Sequence, residues 1–347
     1  MKILYIVPSL RQAGPVNVVR DLVEVMVKHG HECEVMYLDD IYGNEFMCPV
    51  TKIDWKTEID FSKYDIVHSH CFRPDLFTRW RRRKFKGKTK FISTMHNFVF
   101  KEQKLNYNLF KAIANTALIL YAANGHDKVI TLTPSAKKYY SRWIPEENLR
   151  VCCNTRFAET KSPDPEDIKI VQDFKSSRKL KHLLGTNCGL SYRKGLDSII
   201  KALPKLPETG FVVVGDGPAT DSLKKLSESE GVADRVLFLG HRNNGARYLT
   251  LYDLFVIPSR SEGFPLGLLE AAAIGKASVS SDIEIFKETF TEQEVPRFNI
   301  DNQDQIVQTI INALSNTDNL GKAILSRFEQ SYSPEIFYKQ HISVYSE

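Results

Sequence analysis

A chain of 347 residues with 42% hydrophobic and 26% charged residues has room for two globular domains and the composition of a folded protein, which excludes a disordered or fibrous chain. No apolar run reaches the roughly 18 residues of a membrane span, and the six cysteines (Cys33, Cys48, Cys71, Cys152, Cys153, Cys188) have neither metal-ligand nor redox spacing, so they read as reduced thiols of a cytoplasmic protein. The net charge of +5 is uneven: residues 1–160 carry 25 Lys/Arg against 17 Asp/Glu, and residues 161–347 carry 22 against 25.

In chain order, residues 2–7 read as a first strand, too short for a signal peptide. Residues 16–28 have helical spacing, with Val16, Val19, Leu22, Val23 and Met26 on one face. Strands follow at 32–37 and 66–70, then a basic helix over 76–83. Two further strands at 91–95 and 129–133 enclose one long helix over 107–123, and Ser135 is placed to cap a helix over 136–142. Residues 159–181 are polar, contain Pro163 and Pro165, and read as a connector with a short helix over 167–175. Beyond it, strands at 182–186, 211–214, 236–239, 255–257 and 277–280 alternate with helices at 196–202, 221–230, 245–251 and 265–274. This alternation predicts an α/β protein of two Rossmann-like domains, 1–160 and 161–331, with parallel sheets facing a cleft. A final amphipathic helix in 332–347 is expected to pack back on the first domain. Ligands in such sheets lie beyond the carboxyl ends of the strands.

Residues 73–90 hold nine basic residues and one acid, Asp75. Arg79, Arg81, Arg82, Arg83, Lys84 and Lys86, interleaved with Trp80 and Phe85, suit an anionic membrane surface or a nucleic acid; a solvated helix is the plainer alternative.

The segment PSRSEGFPLGLLEAAAIGK at 258–276 sets Glu262 and Glu270 eight residues apart, in the order strand, glycine loop, helix start. Helix-start amides and the dipole attract phosphate. Ionised carboxylates accept hydrogen bonds from hydroxyls. Together these are the needs of a nucleotide sugar. Glu270 lies in an apolar context where an unpaired charge is costly. Arg193 and Lys194, between a strand and the helix begun at Gly195, suit a diphosphate as fixed cations, or are two surface charges. Gly215-Asp216-Gly217 lacks the third glycine of a dinucleotide fingerprint, because position 220 is Thr, and reads as a tight turn. Gly14 lets a ligand approach the backbone or simply makes a turn. His96 ends a strand; His68 and His70 share a strand face and read as structural.

These segments, with AGP at 13–15, DIVHSH at 65–70, STMH at 93–96, VITLTPS at 129–135, RKGLD at 193–197, VVGDG at 213–217 and RVLFLG at 235–240, resemble the retaining glycosyltransferases of family 4, which have the GT-B fold. The resemblance spans nearly the whole chain. It implies a metal-independent enzyme without cofactor that moves a sugar from a nucleotide diphosphate sugar to a hydroxyl acceptor, a glycan or lipid-linked oligosaccharide, at the cytoplasmic face of a membrane. By resemblance the first domain takes the acceptor and the second the donor. His96, Lys194 and Glu262 are then the catalytic residues. Arg193, Lys194, Glu262, Gly263, Phe264, Pro265, Leu266 and Glu270 bind the donor, Glu270 at the ribose and Glu262 at the sugar, and Gly14 lies in the acceptor or phosphate loop. The turn near His241 and Arg242 would border the base. The chain departs from the pattern in lacking the family's upstream arginine, since that place reads Cys188-Gly189-Leu190, and in keeping a single glycine at 13–15. Asp39-Asp40 is adjacent rather than a spaced Asp-x-Asp metal cluster. A nucleotide-sugar epimerase of the same fold and a nucleic-acid-binding protein using 73–90 are the alternatives; the failed glycine fingerprint disfavours a nicotinamide dehydrogenase.

Overall fold

Strands buried on both faces need near-continuous apolar runs and helices on either side, and the runs at 3–7 and 254–257 each lie at the centre of such a sheet. A computed structural model describes residues 1–159 and 161–347. It divides the chain into two units, Met1–Arg156 with Tyr332–Glu347, and Phe157–Ser331. Residue 160, where the sequence reading closes the first domain, lies outside the described residues.

The first unit contains β1 (Lys2–Ser9), α1 (Gly14–Lys28), β2 (Glu32–Asp39), β3 (Val50–Lys52), β4 (Ile66–His70), α2 (Phe72–Arg82), β5 (Lys90–Met95), α3 (Val99–Asn106), α4 (Leu109–Ala123), β6 (Lys128–Thr131), α5 (Pro134–Tyr140) and β7 (Leu149–Val151). Its seven strands are parallel in the order β3-β2-β1-β4-β5-β6-β7, with Ile3 opposite both Cys33 and Ile66. The order reverses between β1 and β4, the switch point where ligands bind in sheets of this kind. The helix expected over 107–123 is α4, which starts two residues later, and α3 precedes it where the sequence reading had no element. Asn108 sets that start by accepting the amide of Lys111 at 3.0 Å, a side-chain cap. The cap expected at Ser135 is Thr133, whose Oγ1 accepts the Ala136 amide at 3.1 Å. Pro134, with its fixed φ and missing N–H, takes the first helical position and so leaves the cap to the residue before it.

The second unit contains α6 (Pro165–Ser177), β8 (His182–Asn187), α7 (Leu196–Ala202), β9 (Thr209–Val214), α8 (Thr220–Ser229), β10 (Val236–Gly240), β11 (Leu254–Ile257), α9 (Leu266–Ala273), β12 (Ser278–Ser281), α10 (Glu284–Thr289), β13 (Arg297–Phe298), α11 (Gln303–Leu314) and α12 (Thr317–Ser331). Its parallel sheet runs β10-β9-β8-β11-β12-β13, reversing between β8 and β11. Residues 245–251, expected as a helix, form a 3-10 turn. The core of this sheet includes Leu184, Phe211, Val213, Leu254 and Val256.

The last helix, α13 (Pro334–Ser346), belongs to the first unit. Phe337, His341, Val344 and Tyr345 are buried, and Tyr345 Oη lies 2.7 Å from His68 Nδ1. The ring of Tyr338 stacks on His29 at 3.6 Å. Glu347 pairs with Arg150, whose hydrogen bonds hold its carboxyl down to about 2.

Candidate functional site

In the second unit the loop after β8 turns through Tyr192–Lys194 and passes Gly195 at φ 67°. A Cβ at Gly195 would lie 2.0 Å from the carbonyl oxygen of Pro258, so only glycine lets this turn rest on the loop after β11. The two loops are tied together. The Arg260 amide donates to Arg193 O at 2.8 Å. The Arg260 guanidinium grips both oxygens of Asp197 at 2.7 Å and covers the Tyr192 ring at 4.1 Å.

That joint brings Arg193, Lys194 and Glu262 together. Lys194 Nζ donates to Glu262 Oε1 at 2.6 Å, Arg193 Nη1 to Oε2 at 2.9 Å, and Ser259 Oγ to Oε1 at 2.6 Å. The Glu262 side chain is only 8% exposed. Burial alone would push its carboxyl up, but the charges of Lys194 and Arg193 more than offset this and hold it below the ordinary glutamate value. An ionised carboxylate offers about four acceptor directions, so three are filled here and one on Oε2 is left for a ligand.

Phe264 and Pro265 are buried, and α9 begins at Leu266. The Leu266 amide donates to Phe264 O at 3.0 Å, so it is taken up inside the turn and is not among the amides that can meet a phosphate. Glu270 is half-buried four residues beyond Leu266, on the same face of α9, while Leu268, Leu269 and Ala271 to Ala273 are buried. The Gly215–Gly217 turn is structural. A Cβ at Gly215 would lie 1.9 Å from Cys188 O, and one at Gly217 2.3 Å from Leu190 O. Gly189, in the place of the missing arginine, has no neighbour closer than 4.0 Å to an added Cβ. Arg242, expected beside the base, grips Asp167 of α6 at 2.7 and 2.9 Å.

In the first unit Gly14 opens α1 directly after the β1 loop, and His96 follows the carboxyl end of β5. His70, the last residue of β4, is not merely a packed ring: its Nδ1 lies 3.0 Å from His96 Nε2. Its Nε2 is buried with no hydrogen-bond partner among the described residues. A buried N–H without an acceptor is rarer than an unfilled lone pair, so the His70 proton belongs on Nδ1. It donates to His96 Nε2, and His96 carries its own proton on Nδ1. Burial lowers His70 well below the ordinary histidine value and His96 to about 4, so both are neutral at pH 7. His96 therefore presents a neutral N–H. Cys71, next in sequence, has φ 74° and ψ 161°, a backbone region nearly reserved for glycine, with strain of order 1–3 kcal/mol. It stands at the switch point beside His70. No residue-type signal marks it in the sequence. Sequence reasoning also missed Ser259 and the Asp197–Arg260 clamp; Ser259 stands three residues before Glu262, a spacing that flags short-range contacts.

Much of the basic stretch is occupied by its own protein. Arg79 donates to Tyr121 O, Arg81 to Trp55 O at 2.6 Å, Arg82 to Gly125 O at 2.7 Å, and Arg83 to Tyr121 Oη at 2.6 Å. Lys84 and Lys86 lie at exposed positions. Among the described residues, no helix is long and apolar enough to cross a membrane.

Two family models match this chain, Glycosyltransferase Family 4 over residues 13–155 and Glycosyl transferases group 1 over residues 177–325. The chain is 27% identical to the O-antigen biosynthesis glycosyltransferase WclY of Escherichia coli, covering 100% of this chain and 98% of that protein. It is 29% identical to the UDP-Gal:alpha-D-GlcNAc-diphosphoundecaprenol alpha-1,3-galactosyltransferase of Escherichia coli, covering 73% of this chain and 66% of that one. Its fold is similar to that of Anabaena Alr3699/HepE in complex with UDP-glucose, with a TM-score of 0.82 over 100% of this chain and 99% of that one at 18% identity. The two models take in both sheets, and the chain belongs to the family 4 glycosyltransferases, enzymes of the GT-B fold.

Proposed function

We propose that this glycosyltransferase moves a hexosyl group from a nucleoside diphosphate sugar to a hydroxyl of a glycan or lipid-linked oligosaccharide, retaining the anomeric configuration, in the assembly of a surface polysaccharide. The observation that carries the reading is the pair of cations, Lys194 and Arg193, held 2.6 and 2.9 Å from a buried Glu262 at the switch point of the second sheet. The donor named for the galactosyltransferase relative supports it, as does the position, where sheets of this order take nucleotides.

The demanding event is departure of the nucleoside diphosphate. Its developing charge is met by Lys194 and Arg193, already fixed by Glu262 and so needing little reorganisation. An ammonium has three N–H donors, so Lys194 can keep Glu262 and still reach a phosphate oxygen. The open direction on Glu262 Oε2 accepts a sugar hydroxyl, and Glu270 accepts from the ribose. Gly263, Phe264 and Pro265 shape the wall of the donor pocket. By the family's pattern His96 directs its N–H to the transferred sugar, and Gly14 leaves backbone room at the acceptor side. A double displacement would need a carboxylate nucleophile on the opposite sugar face. A same-face return, with the departing phosphate oxygen taking the acceptor's proton, needs none and is the route assigned here.

No metal or cofactor takes part in this scheme, since side-chain cations supply the positive charge. EDTA should leave transfer intact, and a loss restored by a divalent ion would overturn that part. The lipid of the acceptor brings the enzyme to the cytoplasmic face of a membrane as a peripheral protein. The experiment for the whole reading is a thermal-shift panel of nucleotide sugars. A true donor at a hundredfold excess over its Kd stabilises the protein by about 2.7 kcal/mol. A panel without any shift would overturn the donor assignment, and donor conversion without acceptor would mark an epimerase instead.

A further inference from the structure

We infer that the exposed apolar face of α4, and not the arginine-rich α2, is the surface by which this protein docks on an anionic lipid bilayer. α4 has 15 residues and one charge, Lys111. One side of it packs inward through Ala112, Thr116, Leu120 and Ala123. A helix on a protein surface ordinarily turns charged residues outward. This one turns out Phe110 at 87% exposure, Leu109 at 54% and Ile113 at 52%, with Leu118 and Tyr121 also exposed. Phe110, Ile113, Ala117 and Tyr121 recur at three- and four-residue spacing, so they form one exposed stripe that flanks the buried one. A contiguous exposed apolar patch of this kind marks an interaction surface.

The charge around the stripe decides what covers it. Residues 73–121 contain twelve Lys/Arg and only two acids, Asp75 and Glu102. Asp75 is buried, and its carboxyl is pushed up to about 8, so it offsets little of that charge. Lys101 and Lys104 of α3 and Lys111 of α4 are exposed near the start of the stripe. At its other end the Arg79 guanidinium lies 3.7 Å over the Tyr121 ring, and Arg83 donates to Tyr121 Oη. A second copy placed face to face would bring two such basic fields together, which is repulsive. A nucleic acid would meet the cations but leave Leu109 and Ile113 without a partner. An anionic bilayer answers both features: helices with an apolar face and basic flanks lie in the interface with that face sunk about 5–10 Å, and Lys/Arg near the surface add attraction to anionic lipid. At about 1.5 Å per residue α4 is roughly 22 Å long, long enough to lie along the interface. Arg79 and Arg83 engage Tyr121, and Arg81 and Arg82 the carbonyls of Trp55 and Gly125, so these guanidiniums are occupied within the protein. The inference deepens the membrane-face part of the proposed function and does not depend on the donor assignment.

The test uses the full chain, without donor, and vesicles of phosphatidylglycerol with phosphatidylethanolamine, or of phosphatidylcholine alone. The wild type should sediment with the anionic vesicles and not with the neutral ones. The Phe110→Ser/Ile113→Ser variant should bind at least tenfold more weakly, with an unchanged melting curve and unchanged donor-induced thermal shift. The Lys84→Ser/Lys86→Ser variant should lose less than threefold. In Phe110→Trp the emission of the introduced indole should shift to the blue with anionic vesicles and be quenched by brominated acyl chains, an indicator that needs no loss of function. A wild type that ignores anionic vesicles, a Phe110→Ser/Ile113→Ser variant that still binds them, or an introduced indole in Phe110→Trp that stays unquenched would overturn the inference. A dimer in solution that the double serine variant dissolves would assign the face to a second copy and overturn it equally. Failure of the nucleotide-sugar panel with vesicle binding intact would sink the donor reading alone.

Discussion

Replacing Lys194 by Met removes the strongest support of a buried carboxylate. Lys194 Nζ lies 2.6 Å from Glu262 Oε1, and it is the largest of the charges that offset the burial of that side chain. A hydrogen bond to a charged group contributes about 1.5–3 kcal/mol, and breaking a buried pair by removing one partner costs about 3–5 kcal/mol. Arg193 and Ser259 remain on Glu262, which puts the expected loss at the lower end, about 2–3 kcal/mol. For a domain of the size of the second unit each kcal/mol is about 2–4 °C, so the melting temperature should fall by roughly 4–12 °C at pH 7. The pH dependence has a definite sign. In the wild type the folded carboxyl lies below an unfolded glutamate, so its stabilisation is present above the unfolded value and is lost as the pH falls through the folded one. Removing Lys194 takes away the largest of the charges that lower this carboxyl, so the variant gains less stability than the wild type as the pH rises through the carboxylate range. The gap between the proteins should therefore be small at about pH 4 and full at pH 7. Calorimetry at both values, on Lys194→Met, Glu262→Gln and the pair together, measures it. Removing both partners should restore most of the stability, while donor affinity stays down at least tenfold. Donor affinity that returns with stability would make Lys194 only a structural partner of Glu262, and a Lys194→Met protein that melts like wild type at pH 7 would refute the buried-carboxylate argument.

Glu270→Ala should leave the fold intact and weaken nucleotide-sugar binding by about 1.5–3 kcal/mol, the contribution of a hydrogen bond to a charged acceptor; isothermal titration that finds wild-type affinity would remove Glu270 from the ribose. Asp75, pushed up to about 8 by burial despite donors from Ser69 and Ser93, binds its proton more tightly folded than unfolded, so its contribution to stability falls as the pH rises from about 4 to 8. Asp75→Asn should match the wild-type melting temperature near pH 4 and exceed it near pH 8; a difference that is constant across this range would contradict the assignment. Nitrogen-15 spectra of His96 should show the Nδ1–H tautomer, without titration between about pH 5.5 and 8, and a midpoint near the ordinary histidine value of about 6.5 or an Nε2–H tautomer would undo the proton placement derived from His70.

The central strands were legible because burial on both faces demands unbroken apolar runs: residues 66–70 match β4 end for end, and the strand expected at 255–257 begins one residue earlier, at Leu254. The edges were not. β3 is exposed along its whole length, and β13 is two residues long. Such strands are set by the neighbour they pair with, and their own sequence carries little pattern. The helix read over 107–123 is α4, and its start at Leu109 had a signal in Asn108, a good cap by residue type. Thr133 and Ser135 are both good caps by residue type, and the preference of proline for the first helical position is what decides between them. In the site, residue types were readable and contacts were not. Glu262 lies 68 residues from Lys194, and no local rule states that two such loops meet. What joins them is Gly195 against Pro258 O, a steric fact that a single glycine in the sequence cannot announce.

The two candidate sites handle buried polarity in opposite ways, and the difference follows from what each side chain can do when it leaves water. In the second unit Glu262 keeps its charge, because two cations and a hydroxyl answer it at 2.6 to 2.9 Å; an ion pair of this kind is fixed, costly to break and ready to be shared with an incoming anion. In the first unit His68, His70 and His341 sit without a counter-charge, so burial keeps them neutral. Neutral imidazoles can then only hand on a direction: Thr94 and Tyr345 fill both nitrogens of His68, and Nε2 of His70, without a partner among the described residues, leaves its single proton to His96. A charged clamp suits a phosphate that must be held as it departs. An oriented neutral donor suits a sugar hydroxyl that must be placed but never charged. The division is written in the partners of each buried group, and exchanging them, a cation beside His96 or a neutral residue at Lys194, would leave each unit with chemistry fitted to the other's ligand.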